Sequence, residues 1–218
     1  MSTLYAVVGA GGCGRGVMPL ARAQLERLEI KNYQLVFVDD ALAGQNVNGQ
    51  RVLNHKQFMS ESATTRYAVV AIANPRTRER MVSRCEASGV LAWSVKASNV
   101  VCMDNVSIGA GAILSPFVCI TSNIKVGKHF HANLYSYVEH DCVIGNYVTF
   151  APSVMCNGNV HIEDYVYIGA GAVIKQGSPS DPLVIGRGAV VGMGAVVTKS
   201  VPPGVTVVGN PAKRLINK

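Results

Sequence analysis

From Ile108 onward an aliphatic or small residue returns every six positions, and this period restricts the possible fold more than any other property of the chain. The hexads IGAGAI, LSPFVC, ITSNIK, VGKHFH, ANLYSY, VEHDCV, IGNYVT, FAPSVM, CNGNVH, IEDYVY, IGAGAV and IKQGSP keep one register from Ile108 to Ile174. Five extra residues follow, and Ile185 restarts the pattern as IGRGAV, VGMGAV and VTKSVP. A period of two marks a half-buried strand and a period of 3.6 marks a helix. Six is neither. It fits short strands with a turn in each hexad, as in a hexapeptide β-helix. Three hexads close one triangular coil, and successive coils stack at roughly 4.8 Å, the ordinary inter-strand spacing. A single coil cannot bury its own apolar face, so stability must come from stacking. Gly109, Gly127, Gly145 and Gly169 follow the aliphatic position, where tight turns are expected to need small residues.

Residues 18 apart then share a corner. One corner carries Thr121-Ser122-Asn123, Glu139-His140-Asp141, Asn157-Gly158-Asn159 and Lys175-Gln176-Gly177. The extra loop, around Ser178 to Pro182, leaves from the same corner. A polar edge beside an extruded loop is the expected place for a site. The other two corners, mostly Gly, Ala and Tyr, read as structural.

Residues 1–95 read differently from residues 96–218 and form a separate expected domain. An apolar strand, Leu4 to Val8, runs into GAGGCG and then a helical stretch from about Arg15 to Leu28. Strands at 34–40 and 67–73 follow, and then a helix from Arg76 to Ser88, a small Rossmann-like βαβαβ arrangement. Gly9, Gly11 and Gly14 satisfy GxGxxG at a strand-to-helix turn. Two readings are open: backbone N–H groups holding a nucleotide diphosphate, or a turn that needs glycine only for packing. Asp39, Asp40, Asn74 and Arg78 follow strand ends, where ligands of open α/β sheets bind.

Composition narrows the function classes. Hydrophobic residues make up 49% and charged residues 15%, which excludes a disordered chain. No apolar run approaches the roughly 20 residues of a membrane span. The N-terminus, MSTLYAVVGAGG, lacks a basic n-region and a long apolar stretch, so a cytoplasmic location is expected. The net charge of +7 calls for an anionic partner. There is no basic run interleaved with aromatics and no helix-turn-helix pattern, so a small phosphorylated ligand is expected rather than nucleic acid. Cys13, Cys85, Cys102, Cys119, Cys142 and Cys156 show neither CxxC nor paired histidine spacing, so no metal site is expected. His129 and His131 read as structural or peripheral, and His55 and His161 as without a special role.

The stretches GAGGCGRG, FVDD, IANPRTR, YSYVEHDCVIG, CNGNV, VIKQG, GMGAVVTK and GNPAK resemble one family over about 210 residues. It is the family of two-domain sugar acetyltransferases acting on UDP-4-amino-sugars, perosamine or sialic acid. FVDDALAG, HANLYSYVEHDCVIG and YVTFAP are most similar to N-acetyltransferases of dTDP-4-amino-4,6-dideoxyglucose. The resemblance implies a left-handed parallel β-helix, a homotrimer, and transfer of acetyl from acetyl-CoA to the 4-amino group of a nucleotide-linked sugar for surface polysaccharide. It implies His140 as general base, Asp141 orienting the imidazole, and Gly158 donating a backbone N–H to the thioester carbonyl. Gly158, Ala170, Gly192, Gly194 and Lys213 would bind acetyl-CoA. Gly9, Gly11, Gly12, Asp39, Asp40, Asn74, Arg78 and Asn133 would bind the nucleotide sugar. Relatives often carry GHG where this chain has Gly12-Cys13-Gly14, which removes one expected phosphate contact.

The chemistry is coherent with those roles. An unperturbed imidazole suits a base at neutral pH, and one preformed oxyanion donor is worth roughly 3 kcal/mol. Cys142 occupies an inward hexad position, so no acyl-enzyme nucleophile is expected. The competing readings are a UDP-4-amino-sugar N-acetyltransferase, an O-acetyltransferase of the sialic-acid type, and a non-catalytic nucleotide-sugar-binding protein. A γ-carbonic-anhydrase-like metal protein would need a histidine pattern that His129, His131 and His140 do not match.

Overall fold

The computed structural model describes residues 3–216. The chain divides into two compact units, one ending at Ala97 and also taking Ala110–Ile113, the other holding Ser98–Gly109 and the chain from Leu114 on.

In the first unit the parallel strands are β1 (Thr3–Val8), β2 (Tyr33–Val38) and β5 (Thr65–Val70), with β1 central. Helix α1 (Gly12–Arg27) follows β1, and α3 (Pro75–Ala87) follows β5. Val7, Phe37 and Val69 stand side by side on the three strands, and Val17, Met18 and Ala21 of α1 pack into the same core. Four further elements were not expected. A hairpin, β3 (Asn46–Val47) and β4 (Gln50–Leu53), turns at Asn48-Gly49 with φ of 51° and 80°. Asn-Gly is the dipeptide such a two-residue turn favours, because both central residues need positive φ. Strand β4 then pairs with β2. Helix α2 (His55–Ser60) starts with a capping box, the Asn54 side chain accepting from the Gln57 amide and Gln57 answering the Asn54 amide. Strand β6 (Leu91–Ala92) widens the sheet to the order β3-β4-β2-β1-β5-β6.

Helix α1 begins at Gly12, three residues before the expected Arg15. Glycine is a poor helix former, but here close packing outweighs that cost. A Cβ on Gly14 would run into the Gly9 carbonyl oxygen, so only glycine lets α1 lie directly on the turn after β1.

The second unit is a parallel β-helix. One face stacks Cys119–Ile120, Tyr137–Val138, Met155–Cys156, Val173–Ile174 and Val196–Val197. The next stacks Val106–Ile108, Ile124–Val126, Val143–Ile144, Val160–Ile162 and Leu183–Ile185. The third stacks His131–Ala132, Thr149–Phe150, Tyr167–Ile168, Val190–Val191 and Thr206–Val208. Aliphatic positions of the hexads point inward: Ile120, Phe150, Cys156, Ile168, Ile174 and Ile185 are fully buried. The loop at 178–182 is absorbed without disturbing the stack, since Val173 pairs with Val196 on the next coil just as Met155 pairs with Val173. The antiparallel strand Lys213–Arg214 covers the last parallel strand, capping an otherwise open sheet edge.

The turns depart from expectation. Glycines after the aliphatic position do not take left-handed φ; they are needed because the next coil comes too close. A Cβ on Gly127 would lie 2.6 Å from the Gly145 carbonyl carbon, and one on Gly145 would lie 2.6 Å from the Asp164 amide nitrogen. The left-handed position comes two residues later, and many non-glycine residues fill it: Phe117 and Tyr135 at one corner, Asn123, Asp141 and Asn159 at another, His129, Tyr147 and Tyr165 at the third. Left-handed backbone costs an ordinary residue about 1–2 kcal/mol. Stacking from coil to coil offsets it. Phe117 and Tyr135 rings lie 4.8 Å apart and nearly parallel, His129 and Tyr147 5.1 Å, Tyr147 and Tyr165 5.5 Å, and the Arg187 guanidinium sits 4.7 Å above Tyr165. His129 and His131 are buried.

Because crowding and φ select glycine at different positions, substitutions there should differ. Gly145→Ala is expected to destabilise by about 1–3 kcal/mol through overpacking. Gly188→Asn, at φ 67° with open space around it, should be close to neutral. Urea or thermal denaturation of the two variants separates them.

Candidate active site

The polar corner behaves as the stacking dictates. His140 Nδ1 lies 2.8 Å from Asp141 Oδ2, with both side chains about half exposed. The carboxylate that meets the ring is therefore Asp141 and not Glu139. Asp141 holds left-handed φ of 58°, a conformation aspartate tolerates, and its amide donates to the Ser122 carbonyl of the coil before. The hydrogen bond with His140 and a second one from Asn123 keep the Asp141 carboxyl below its usual value of 3.8.

Gly158 lies on the following coil, directly against the imidazole. A Cβ there would fall 2.5 Å from His140 Cε1 and 2.6 Å from Nε2. Only glycine fits. Gly158 is buried, and its neighbours Asn157 and Asn159 donate their amides to the carbonyls of Ile174 and His140. Among the described residues no acceptor takes the Gly158 amide. The turn is pinned from two sides: the Tyr137 hydroxyl donates to Asn157 Oδ1 at 3.1 Å, and Asn157 Nδ2 donates to the Ile174 carbonyl at 2.8 Å. Tyr137 was not singled out in the sequence, and Asn157 was read only as part of the polar corner. Their 20-residue separation places them on adjacent coils, which was the available signal.

Ala170, Gly192 and Gly194 gather at a different corner, reached from His140 by crossing one face. The Gly194 amide donates to the Ala170 carbonyl, Ala170 is exposed, and open space surrounds Gly194. Asn133 lies on this same corner, so within one chain it does not adjoin His140; its side-chain oxygen accepts from the Leu134 amide. Lys213 is exposed on the terminal strand.

In the first unit the predicted residues cluster at the carboxyl end of the parallel strands. Gly9 closes β1 with φ 97°, Gly11 is the N-cap of α1, and Gly11 and Gly12 are exposed with open space around them. Asp39 Oδ2 accepts from the Ala10 amide at 2.9 Å and Oδ1 from the Ala41 amide at 3.0 Å, so this carboxylate braces the glycine turn. Asp40 bonds Arg84 at 2.6 Å and accepts from the His55 amide at 2.9 Å; both hold its carboxyl below the usual range, Arg84 the more. Asn74 caps α3 by accepting from the Thr77 amide. The Arg78 side chain is fully buried and donates to the carbonyls of Ile72 and Ala73, so it supports the loop after β5. Among the described residues no group of three or more His, Cys, Asp or Glu is placed to hold a metal ion, and no helix is long and apolar enough to cross a membrane.

Comparison with known proteins agrees with this geometry. Residues 5–85 match the PglD N-terminal domain. The chain is 53% identical over 212 residues to the GDP-perosamine N-acetyltransferase of Escherichia coli O157:H7, covering 97% of this chain and 96% of that protein. The solved structure of WeeI from Acinetobacter baumannii AYE is similar with a TM-score of 0.94 at 57% identity, covering 98% of this chain and all of that one. The acetyltransferase domain of PglB from Neisseria gonorrhoeae FA1090, solved in complex with acetyl coenzyme A, gives 0.84 at 29% identity, covering 97% and 98%. The β-helix accordingly has the left-handed sense expected from the resemblance. The chain belongs to the nucleotide-aminosugar N-acetyltransferase family and is an acetyl-CoA-dependent acyltransferase.

Proposed function

We propose that this enzyme acetylates the 4-amino group of a nucleoside-diphosphate-linked 4-amino-4,6-dideoxy sugar for surface polysaccharide, with His140 as general base and GDP-perosamine as the first candidate acceptor. The arrangement of His140 between Asp141 and Gly158 carries the proposal. Asp141 engages Nδ1, which leaves Nε2 to meet a substrate amine. The amine nitrogen attacks the thioester carbonyl carbon, Nε2 takes the amine proton, the carbon–sulfur bond breaks, and the proton passes to the departing CoA thiolate. The unclaimed Gly158 amide supports its role as donor to the developing oxyanion.

The nucleotide is assigned to the first unit. The exposed Gly11-Gly12 turn at the start of the sixteen-residue α1 supports diphosphate binding, and Gly9, Asp39, Asp40 and Asn74 shape that turn and its neighbours. Ala170, Gly192, Gly194 and Lys213 remain the proposed acetyl-CoA contacts, and Asn133 a proposed sugar contact. The motifs FVDDALAG, HANLYSYVEHDCVIG and YVTFAP favour a dTDP-linked sugar as a second reading. The relative matched nearly end to end is named for a GDP-linked sugar, which puts guanine first. Steady-state kinetics with both acceptors decides: a higher kcat/KM for the dTDP sugar would reverse the order. The proposed compartment is the cytoplasm.

A homotrimer is proposed on the face that runs from the Ala170 corner to the His140 corner. Its outward positions are Cys119, Tyr137, Met155, Val173 and Val196, with no charged group among them. Phe117 and Tyr135, at its edge, are 54% and 60% exposed. A continuous apolar surface of this kind marks a subunit interface.

Three outcomes are expected. His140→Ala should lower kcat by about 10²–10⁴-fold, the usual contribution of a general base, in a coupled assay of free thiol release; a wild-type rate would reject the assignment. Gly158→Ala should retain the fold and lose kcat, because its methyl group displaces the imidazole. Light scattering should return three copies of the 23.1 kDa chain, and a monomer would reject the trimer.

A further inference from the structure

The corner that carries His140 also holds a chain of side-chain contacts running away from the reacting atoms. Asn105, Asn123 and Asp141 occupy the same position on three successive coils, with φ of 56°, 61° and 58°. Asn105 Nδ2 donates to Asn123 Oδ1 at 3.1 Å, and Asn123 Nδ2 donates to Asp141 Oδ1 at 3.2 Å. Asp141 Oδ2 then meets His140 Nδ1 at 2.8 Å. A carboxamide has one accepting and one donating end. With its oxygen engaged by Asn105, Asn123 can present only N–H to the next rung, and an ionised carboxylate is the partner that end prefers.

We propose that Asn123, oriented by Asn105, is a positioning residue for the general base: it claims one oxygen of Asp141 so that the other is turned onto His140 Nδ1. The inference rests on the reading of His140 as base. Asn123 touches neither substrate and acts through Asp141. Its amide also favours the ionised carboxylate, in the same direction as the larger effect of the imidazole. The other titratable groups of this ridge are Glu139 on the same turn, Asp104 two coils before and Lys175 two coils after; the intervening turns Thr121-Ser122-Asn123 and Asn157-Gly158-Asn159 carry none.

The test is the pH dependence of kcat in the full-length enzyme. Asn123→Gly removes the amide yet accepts left-handed φ, so folding is preserved and a melting curve checks it. It is expected to lower kcat about tenfold, the loss of one hydrogen bond to a charged group, with KM for acetyl-CoA and for the amino sugar unchanged. Without the amide the Asp141 carboxylate is no longer held on Nδ1, and a base that has lost its carboxylate partner protonates less readily, so the acid limb of kcat moves to lower pH. Asn123→Asp, which sets a second carboxylate beside the base, should move that limb the other way, to higher pH. A wild-type kcat and an unmoved limb in Asn123→Gly would overturn the inference while leaving His140 in place. So would a fall in melting temperature or a rise in KM with kcat and the limb unchanged, since that is what a merely structural residue would give. A wild-type rate in His140→Ala would remove the base itself and the inference with it.

Discussion

The coil-to-coil hydrogen bond governs the β-helix. An amide on one coil donates to the carbonyl 17 positions on, as Cys119 does to Ser136, Tyr137 to Val154 and Met155 to Ala172. Because every rung repeats this bond, a residue's neighbours are those 18 before and after it. A side chain at a corner therefore meets its column, and its chemistry is set by what the column holds. Aromatic columns stack and give the prism stiff ridges. The column through position 141 is polar, and there the same stacking produces an asparagine, a carboxylate and, beside them, an imidazole. Once the register is fixed, the environment of His140 follows from geometry.

Much of this was legible in the sequence, because period and column arithmetic depend only on backbone hydrogen bonding. The inward positions, the polar corner and the pairing of His140 with a carboxylate on its own turn all follow from counting in sixes. What counting cannot show is which of several demands selects a glycine. Gly127 and Gly145 looked like turn residues, yet they are glycine because the neighbouring backbone leaves no room. Phe117, Tyr135 and Tyr147 sit in left-handed backbone that propensity assigns to small residues, since stacking on the next ring outweighs the local cost. In the first unit the central strands were legible as apolar runs. The hairpin at Asn48-Gly49 and the helix behind Asn54 were readable too, from turn and cap chemistry that an apolar-run search passes over. The burial of Arg78 was not legible, because a cation after a strand end looks exposed until its packing is known.

The candidate site suits the proposed direct transfer. Cys142 and Cys156, the thiols beneath the His140 turn, are fully buried, and Cys142 Sγ lies 3.3 Å from the Asn157 carbonyl. Neither is presented to a thioester, so attack by the amine itself is the simpler route. Gly158 answers two requirements at once. Its lack of a side chain admits the imidazole, and its amide has no acceptor among the described residues. In the proposed reaction, a preformed donor of this kind needs no reorganisation as charge develops on the carbonyl oxygen.

In the proposed reaction, His140 Nε2 meets the acceptor amine while the Gly158 amide meets the donor carbonyl. A crystal structure of the enzyme with a non-hydrolysable acetyl-CoA analogue and the amino sugar nucleotide tests it most directly. The sugar nitrogen is expected within hydrogen-bonding distance of Nε2 and the donor carbonyl oxygen within about 3 Å of the Gly158 nitrogen. A sugar nitrogen bound against another side chain, with the imidazole facing solvent, would contradict it.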